Sequence, residues 1–228
     1  MTTPAPGNSR DVISAQRGIH QHLEATVRKH VSTPWRKPVA DFSRTTLDGL
    51  LPWLTAGDRP LIIDACCGTG MSTRLLAARY PHCRVLGLDK SAQRVGRHQG
   101  GGGDYQVVRA DVQDMWRLLR DAGIKPVMHT LFYPNPYPKA AQLGSRWYGS
   151  PAFPALLNLG GHLQVRSNWA LYIEEFAFAL KVAGYESEIS QITPTAGDYI
   201  SLFEKKYSES GHVLTALSAN LNRAGDPV

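Results

Sequence analysis

The feature of this sequence that most constrains its fold is a regular alternation of two patterns that begins near residue 59. Seven short runs have the length and composition of strands: RPLIIDA, RVLGLD, YQVVRA, PVMHTLFY, HLQVRS, YESEISQIT and DYISLFEKKY. The stretches between most of them place apolar residues at helical spacing. Strands that alternate with helices favour a parallel sheet with helices on both faces. Residues 57–219 are therefore predicted to form an α/β domain with a doubly wound, mostly parallel seven-stranded sheet.

The part of the chain before this alternation is helical in pattern. Apolar residues recur at helical spacing over residues 11–31 and again over residues 41–53, and a segment with two prolines separates these stretches. A chain of 228 residues is expected to form one domain. Residues 1–56 are therefore predicted to be a helical N-terminal extension of the same domain, and residues 220–228 a frayed tail.

Composition excludes several classes of protein. No apolar run reaches the ~18 residues that a membrane-spanning helix requires, and the N-terminus lacks the basic flank and apolar core of a secretion signal. The three cysteines do not form a disulfide framework, and no cluster of Cys and His has the spacing of a metal site. A cytoplasmic protein without a metal is expected, as a monomer or a homodimer.

The charge balance is basic. The chain has 25 Lys and Arg residues against 19 Asp and Glu residues, which gives a net charge of +6. An excess of positive charge suits a polyanionic partner such as a nucleic acid. Solubility alone explains the same excess equally well, so charge by itself does not identify the partner.

The stretch LIIDACCGTGMSTRLLAARY joins the first strand to a helix through a tight glycine turn. Gly68 and Gly70 allow the backbone to approach a ligand closely, since neither carries a side chain. The first strand ends at Asp64, the second at Asp89, and the third leads into Asp111. In such sheets ligands bind beyond the carboxyl ends of the strands, where a carboxylate can accept both ribose hydroxyls. These positions predict a cofactor that contains adenosine.

The details of the turn indicate which cofactor it is. A dinucleotide fingerprint requires glycine where this chain has Thr73, and the Gly-Lys-Ser/Thr of a phosphate-binding loop is absent. The arrangement of an acid, two residues and C-G-x-G resembles the first motif of Rossmann-like (class I) S-adenosylmethionine-dependent methyltransferases. That resemblance implies S-adenosylmethionine as the cofactor, bound by Asp64, Cys66, Gly68, Gly70, Asp89 and Asp111. Cys66 and Cys67 are interpreted as small packing residues rather than nucleophiles.

The fourth strand runs into a second motif, LFYPNPYPK, in which three prolines fix the backbone. Tyr133 and Tyr137 offer ring faces for stacking a planar base. This order resembles the F-P-D-P-W-x-K loop of the tRNA (guanine-N7) methyltransferase family. Three downstream pieces, SNW with a tyrosine three residues later, SLFE and SGH, are similar to that family's T-D-W-x-x-Y, T-K-F-E and Gly-His. The resemblance extends over about residues 61–212, and its departures identify a divergent member.

The resemblance implies roles for particular residues. It places the catalytic group at Asn135 and Lys139 and the substrate-binding group at Tyr137, Lys139, Asn168, Ser201 and Glu204. Asn135 and Asn168 stand where the family has aspartates, and Ser201 stands where it has threonine. An asparagine cannot accept a proton as a general base, but guanine N7 has a lone pair and no proton to lose, so alignment alone can support the reaction.

These observations predict a methyltransferase that uses S-adenosylmethionine to methylate a nitrogen, with guanine N7 of tRNA as the substrate. Two alternatives stay open. The Asn-Pro-aromatic sequence also resembles the N-P-P-Y loops of enzymes that methylate amino groups, so a small molecule or peptide could be the substrate. The chain could also be a catalytically degenerate RNA-binding protein that has kept the fold.

Overall fold

A computed structural model of the protein describes residues 7–100 and 104–222, and its centre is one seven-stranded sheet. The strand order is β3-β2-β1-β4-β5-β7-β6. The strands are β1 (Leu61–Ala65), β2 (Arg84–Asp89), β3 (Tyr105–Arg109), β4 (Met128–Phe132), β5 (His162–Ser167), β6 (Glu188–Ile192) and β7 (Leu214–Asn220). The first five are parallel, and β7 runs antiparallel to β5 and β6. The predicted α/β, mostly parallel sheet is confirmed.

Helices cover both faces of the sheet. They are α1 (Leu23–Ser32), α2 (Asp41–Thr55), α3 (Met71–Arg79), α4 (Ala92–Val95), α5 (Val112–Asp121), α6 (Phe153–Leu159), α7 (Ala170–Val182) and α8 (Leu202–Glu209). The larger apolar core includes Ile63 on β1, Trp116 on α5 and Phe176 on α7. The smaller core, on the opposite face, includes Ile62 on β1 and Leu76 on α3. Neighbouring residues of β1 thus serve opposite faces, as strand geometry requires.

One predicted strand is wrong. DYISLFEKKY does not extend the sheet, because residues Leu202–Glu209 form α8. The Ser201 hydroxyl accepts a hydrogen bond from the Glu204 backbone N–H and caps the helix, which is the capping pattern Ser-x-x-Glu. After the helix, Gly211 has φ of 76°, a conformation that stops helices. The seventh strand is β7 instead.

The first predicted helix is also too long. Within residues 11–31 only Leu23 onward is helical, and α1 ends at Ser32. Residues 7–22, which we call the N-terminal strap, are irregular and form hydrogen bonds with other elements. Both α1 and α2 contribute buried leucines to the larger core. Residues 1–6 and 223–228, at the ends of the predicted extension and tail, lie outside the described residues.

The division of the chain into an extension at 1–56, a catalytic part at 57–219 and a tail at 220–228 stays a prediction. β7 continues into the first residue of that tail, and Leu221 is buried. In the described residues, no helix combines the length and the apolar character needed to cross a membrane.

Candidate active site

The turn between β1 and α3 has the unusual backbone that its sequence predicts. Cys66, Gly68 and Gly70 all have positive φ, of 63°, 63° and 81°. A Cβ on Gly70 would come within 2.6 Å of His98 Nδ1, so only glycine fits there. A Cβ on Gly68 would meet no protein atom within 4 Å. The turn is thus packed from behind at Gly70 and open at Gly68, which leaves room for a ligand against its backbone.

Asp64 holds this turn in place. Its carboxylate is 1% exposed and accepts hydrogen bonds from three hydroxyls, those of Ser72 (2.6 Å), Thr73 (2.7 Å) and Thr130 (2.8 Å). Burial raises the pKa of Asp64, and the three hydrogen bonds oppose that shift. The hydroxyls tie β1 to α3 and β4, so Asp64 fixes the shape of the turn from beneath.

Asp89, at the end of β2, contacts the same turn from the side. Its Oδ2 accepts from the Gly68 N–H at 3.0 Å, and its Oδ1 accepts from the Ser91 N–H at 2.8 Å. The guanidinium of Arg94 lies 3.1 Å from Oδ1, and that side chain is 52% exposed. The arginine neutralises the carboxylate and, being exposed, can be displaced by a ligand's hydroxyls.

Asp111 follows β3 and caps α5, because its Oδ1 accepts from the Gln113 N–H at 3.0 Å. Its Oδ2 lies 3.2 Å from the exposed ammonium of Lys90. Since β1, β2 and β3 are adjacent in the sheet, the three carboxylates stand in a row along its carboxyl edge. The open glycine backbone beside the carboxylates of Asp89 and Asp111 fits the ribose and adenine of S-adenosylmethionine, whereas the carboxylate of Asp64 is occupied by its three hydroxyl partners.

The adjacent thiols are not nucleophiles at neutral pH. Burial, together with the nearby carboxylates of Asp89 and Asp64, raises the pKa of Cys66 to about 12. Burial raises the pKa of Cys67 as well. Thiols with such pKa values stay protonated, and only the thiolate attacks a methyl group. The interpretation of Cys66 and Cys67 as packing residues agrees with this chemistry.

The proline loop after β4 presents fewer groups to a substrate than its sequence indicates. Tyr133 is buried, and its hydroxyl donates to Glu204 at 2.8 Å, so its ring is not open for stacking a base. Asn135 is exposed, and its Oδ1 accepts from the Tyr137 N–H at 3.3 Å. Tyr137 is half-buried with φ of 46°, and Lys139 is exposed. Of the two tyrosines, Tyr137 is the one left for contact with a substrate.

Glu204 and Ser201 serve the fold at this edge. The Glu204 carboxylate has no exposed surface and accepts from the Tyr133 hydroxyl and the Ile200 N–H, both at 2.8 Å. Arg166 of β5 forms an ion pair with it at 2.6 Å. The carboxylate of Glu204, which is predicted to bind the substrate, is thus already bound by three groups of the protein. Asn168, one residue beyond β5, lies at the same edge, and its amide nitrogen is 3.0 Å from His212 Nδ1.

Sequence reasoning did not anticipate the N-terminal strap at this edge. The Ser14 hydroxyl donates to the Pro138 carbonyl at 2.6 Å, which fastens the strap to the proline loop. Farther along, the side chain of Gln16 donates to Glu175, and Glu175 forms a fully buried ion pair with Arg146. No motif marks these residues, since Glu175 stands inside an apolar helix pattern. Only the folded chain brings them together.

A metal site is not visible in the described ranges, where no three His, Cys, Asp or Glu side chains are grouped to hold an ion. Beside the glycine turn, a cavity of about 230 Å³ is lined by Gly70 of the turn and by Arg74, Arg97, His98 and Leu202, among others. Both arginines are exposed. This cavity, which shares Gly70 with the glycine turn, therefore has a basic rim.

Solved structures share this fold. The 16S rRNA methyltransferase KamB aligns with a TM-score of 0.60 at 16% identity, over 82% of this chain and 97% of that one. The 16S rRNA (adenine(1408)-N(1))-methyltransferase from Catenulisporales acidiphilia, determined with its cosubstrate SAM, aligns with a TM-score of 0.57 at 16% identity, over 79% and 93% of the two chains. At such identities the likeness shows the class I methyltransferase fold.

Comparison of sequences adds the family. A tRNA (guanine-N(7)-)-methyltransferase of Neisseria gonorrhoeae is 24% identical over 78% of this chain and 74% of its own length. A release factor glutamine methyltransferase of Mycobacterium leprae is 35% identical over 40% of this chain and 34% of its own. The family model described as "Methyltransf_4: Putative methyltransferase" matches residues 58–215, which is more than half of the chain. The protein belongs to this methyltransferase family.

Proposed function

We propose that this protein transfers a methyl group from S-adenosylmethionine to guanine N7 of a tRNA. The observation that supports this cofactor is the position of Asp89 and Asp111 along the sheet edge beside the open backbone of Gly68, in a turn whose shape Asp64 fixes from beneath. The substrate is supported by the activity named for the relatives at 24% identity and by the basic rim at Arg74 and Arg97.

When bound, S-adenosylmethionine supplies an electrophilic methyl carbon. In this proposal Gly68 and Asp89 bind the ribose, and Asp111 accepts a hydrogen bond from the adenine amino group. The chain need not supply a general base, because guanine N7 is a free lone pair. What the protein must supply is alignment of the base with the methyl group, which can account for ~7–11 kcal/mol of a barrier. Asparagines at positions 135 and 168 can orient a base through hydrogen bonds as neutral groups.

The remaining parts of the proposal concern partners and location. A cytoplasmic enzyme is proposed on the ground that Cys66, Cys67 and Cys83 are all free. A monomer or a homodimer remains the expected assembly. Arg36 and Lys37, which follow α1 in the chain, are also exposed. Trp35 between these elements is not free to stack bases, since Arg117 lies 4.5 Å from its ring centroid.

One specific observation favours a second candidate, methylation of an amino group in a peptide or small molecule. The Asn135-Pro136-Tyr137 sequence follows β4 with Asn135 exposed, and a release factor glutamine methyltransferase matches 97 residues at 35% identity. In this candidate the loop carbonyls and the Asn135 side chain hold the amine to be methylated. The loop could bind a guanine or an amine, so the identity of the methylated product distinguishes the two candidates.

The deciding experiment incubates the protein with radiolabelled S-adenosylmethionine and total tRNA, and separately with an extract of small molecules and peptides. We expect labelled 7-methylguanosine after digestion of the RNA to nucleosides. In the tRNA reaction, Asn135→Asp should raise transfer about tenfold, because a carboxylate accepts more strongly from guanine's donor edge. Label in an extract component alone, lost in Asn135→Asp, would instead establish the second candidate.

A further inference from the structure

His212 lies between the N-terminal strap and the predicted substrate residue Asn168, and it contacts both. Its Nε2 is 3.2 Å from the backbone carbonyl oxygen of Ser9, and its Nδ1 is 3.0 Å from the Asn168 amide nitrogen. Its ring stacks on Tyr207, with centroids 5.3 Å apart and planes inclined by 26°. The side chain of His212 is only 4% exposed. The ring is therefore held from three directions.

These contacts determine which ring nitrogen carries the proton. A backbone carbonyl can only accept a hydrogen bond, so Nε2 must donate to Ser9. The carboxylate of Asp11, 3.6 Å from Nε2, is also an acceptor. A neutral imidazole has one N–H, and with that proton on Nε2 the opposite nitrogen, Nδ1, is an acceptor.

The state of the ring in turn orients the asparagine. Because Nδ1 accepts, the group of Asn168 that faces it must be the donor, which is the amide NH₂. The amide oxygen then occupies the other corner of the side chain. Among the described residues this oxygen has no hydrogen-bond partner, whereas the amide nitrogen is engaged. Asn168 follows β5 directly, and β5 pairs with β4 next to the proline loop.

We propose that His212 is a positioning residue that locks Asn168 with its oxygen free, so that Asn168 serves as a hydrogen-bond acceptor for N–H groups of the substrate. This inference rests on the proposed function and names the chemical class of the substrate edge. That edge presents donors, as a guanine does with N1–H and its amino group. An asparagine free to rotate would present its NH₂ half of the time, whereas a locked one imitates the acceptor property of a carboxylate without its charge.

The lock also assigns a role to the strap. The carbonyl of Ser9 is what selects the Nε2–H form, and the strap is fastened near it by a hydrogen bond from the Ser9 N–H to the Ser210 hydroxyl at 3.1 Å. The position of the Ser9 carbonyl thus controls the orientation of the Asn168 amide through the ring of His212. A purely structural histidine would need neither the tautomer nor the amide orientation.

The state of the ring can be read directly in the complete, unliganded protein. Long-range ¹H–¹⁵N spectra of histidine-labelled protein distinguish a protonated Nε2 from a protonated Nδ1. We expect the His212 signals, assigned by their absence in His212→Phe, to show Nε2 protonated and Nδ1 bare. A ring protonated at Nδ1 would overturn the proposal, whatever the enzyme acts on. This measurement does not depend on finding the substrate.

Kinetics test the consequence for the substrate. His212→Phe keeps a ring to stack on Tyr207 but removes both nitrogens, and we expect it to raise the KM for tRNA about tenfold with little change in kcat. His212→Asn keeps an acceptor at the Nδ1 position and should recover most of that loss. In an Asn168→Ala background, His212→Phe should have no further effect on KM, because the oxygen it orients is gone.

Independent, additive effects of the two substitutions would overturn the proposal and leave His212 a structural residue. The affinity for S-adenosylmethionine serves as the control and should match the wild type, and the melting temperature of each variant verifies that it is folded at the assay temperature. Absence of methyl transfer to RNA by the wild-type protein would refute the proposed function instead, and the spectrum would still decide the state of His212.

Discussion

At Asp89 a single carboxylate holds the turn and also stands where the ribose of the cofactor is expected. One oxygen accepts from the Gly68 N–H, while the other accepts from Ser91 and pairs with Arg94. The Arg94 side chain is half exposed and contacts only one oxygen of Asp89. The hydroxyls of a ribose can therefore replace the arginine and donate hydrogen bonds to the carboxylate at little cost in free energy. The same carboxylate can therefore shape the site before the cofactor arrives and bind it afterwards.

We expect Asp89→Ala to weaken S-adenosylmethionine binding by about ten- to hundredfold, since losing a charge-assisted hydrogen bond costs ~1.5–3 kcal/mol. Titration calorimetry measures the affinity. Asp104→Ala is the matched control, because Asp104 precedes β3 at the opposite end of the strand and pairs with Arg59. An affinity unchanged in Asp89→Ala, or lowered equally in the control, would remove the ribose role.

The placement of these acids could be predicted because it follows from strand ends alone. Asp64, Asp89 and Asp111 each come where an apolar run stops, and parallel strands end at the same edge. Their partners could not be predicted in this way. Arg94 and Lys90 reach the carboxylates through side-chain conformations that no periodicity encodes, and Ser72 and Thr73 acquire their role only when α3 docks.

Among the elements, α8 shows how local capping residues can override the strand propensity of a segment. DYISLFEKKY contains three aromatic residues and Ile200, and residues of these types favour strands. The Ser201 cap and the glycine at position 211 mark the ends of a helix more specifically, and the structure follows them. The N-terminal strap shows that a helical pattern can also fail. Apolar residues have helical spacing over residues 11–22, but no helix forms there because the polar groups of the strap bind to other elements.

The buried carboxylate of Glu204 joins α8 to the sheet, and we expect Glu204→Gln to lower the free energy of unfolding by about 2–3 kcal/mol. Arg166 would lose its charged partner, and the cost stays below the ~3–5 kcal/mol of a fully buried pair because Arg166 is 21% exposed. Urea denaturation measures the change. Glu209→Gln, on the exposed side of α8, should cost less than ~1 kcal/mol. Unchanged stability with a raised KM for tRNA would restore Glu204 to substrate binding.

Across the whole molecule, the net charge of +6 becomes informative once its location is known. Arg74 and Arg97 have no acidic partner among the described residues, whereas Arg28 pairs with Glu24 and Arg120 with Asp121. Arginines without partners beside a binding site are available to phosphates. Charge counted along the sequence cannot make this distinction, because pairing depends on the fold.

We expect the double variant Arg74→Gln, Arg97→Gln to weaken tRNA binding and to make the plot of log affinity against log salt shallower by roughly 1.5, as two phosphate contacts are lost. The matched control is Arg28→Gln, Arg120→Gln, which removes the same charge from paired positions. Fluorescence anisotropy at several salt concentrations measures both. Equal changes in slope for the two double variants would mean that only net charge matters.

Stability should depend on pH through the buried histidine of β4. His129 on β4 is buried, its Nε2–H donates to the Gly160 carbonyl at 2.7 Å, and burial lowers its pKa from 6.5 to about 4. The unfolded chain binds this proton more readily, so the stabilisation is complete above pH 6.5 and is lost as the pH falls towards 4. By linkage the loss is about 3 kcal/mol.

His129→Gln keeps a donor for Gly160 but cannot titrate, so the fall in unfolding free energy between pH 6.5 and 4 should be about 3 kcal/mol smaller in the variant. Chemical denaturation at intervals across this range measures it. Subtracting the two curves removes the contribution of every other titrating group. Parallel curves for the two proteins would show that His129 is not protonated on unfolding.

The position of β7 in the sheet has a consequence for the order of events during synthesis. β6 leaves the ribosome before β7, yet among the described residues its strand partner is β7 alone. β6 therefore stays unpaired until residues 214–220 have been synthesised and pair with both β6 and β5. Four of its five residues, Glu188 to Gln191, are exposed even in the finished fold, and an edge strand of this kind resists premature association. The polar character of β6 thus suits a strand that is translated early and paired last.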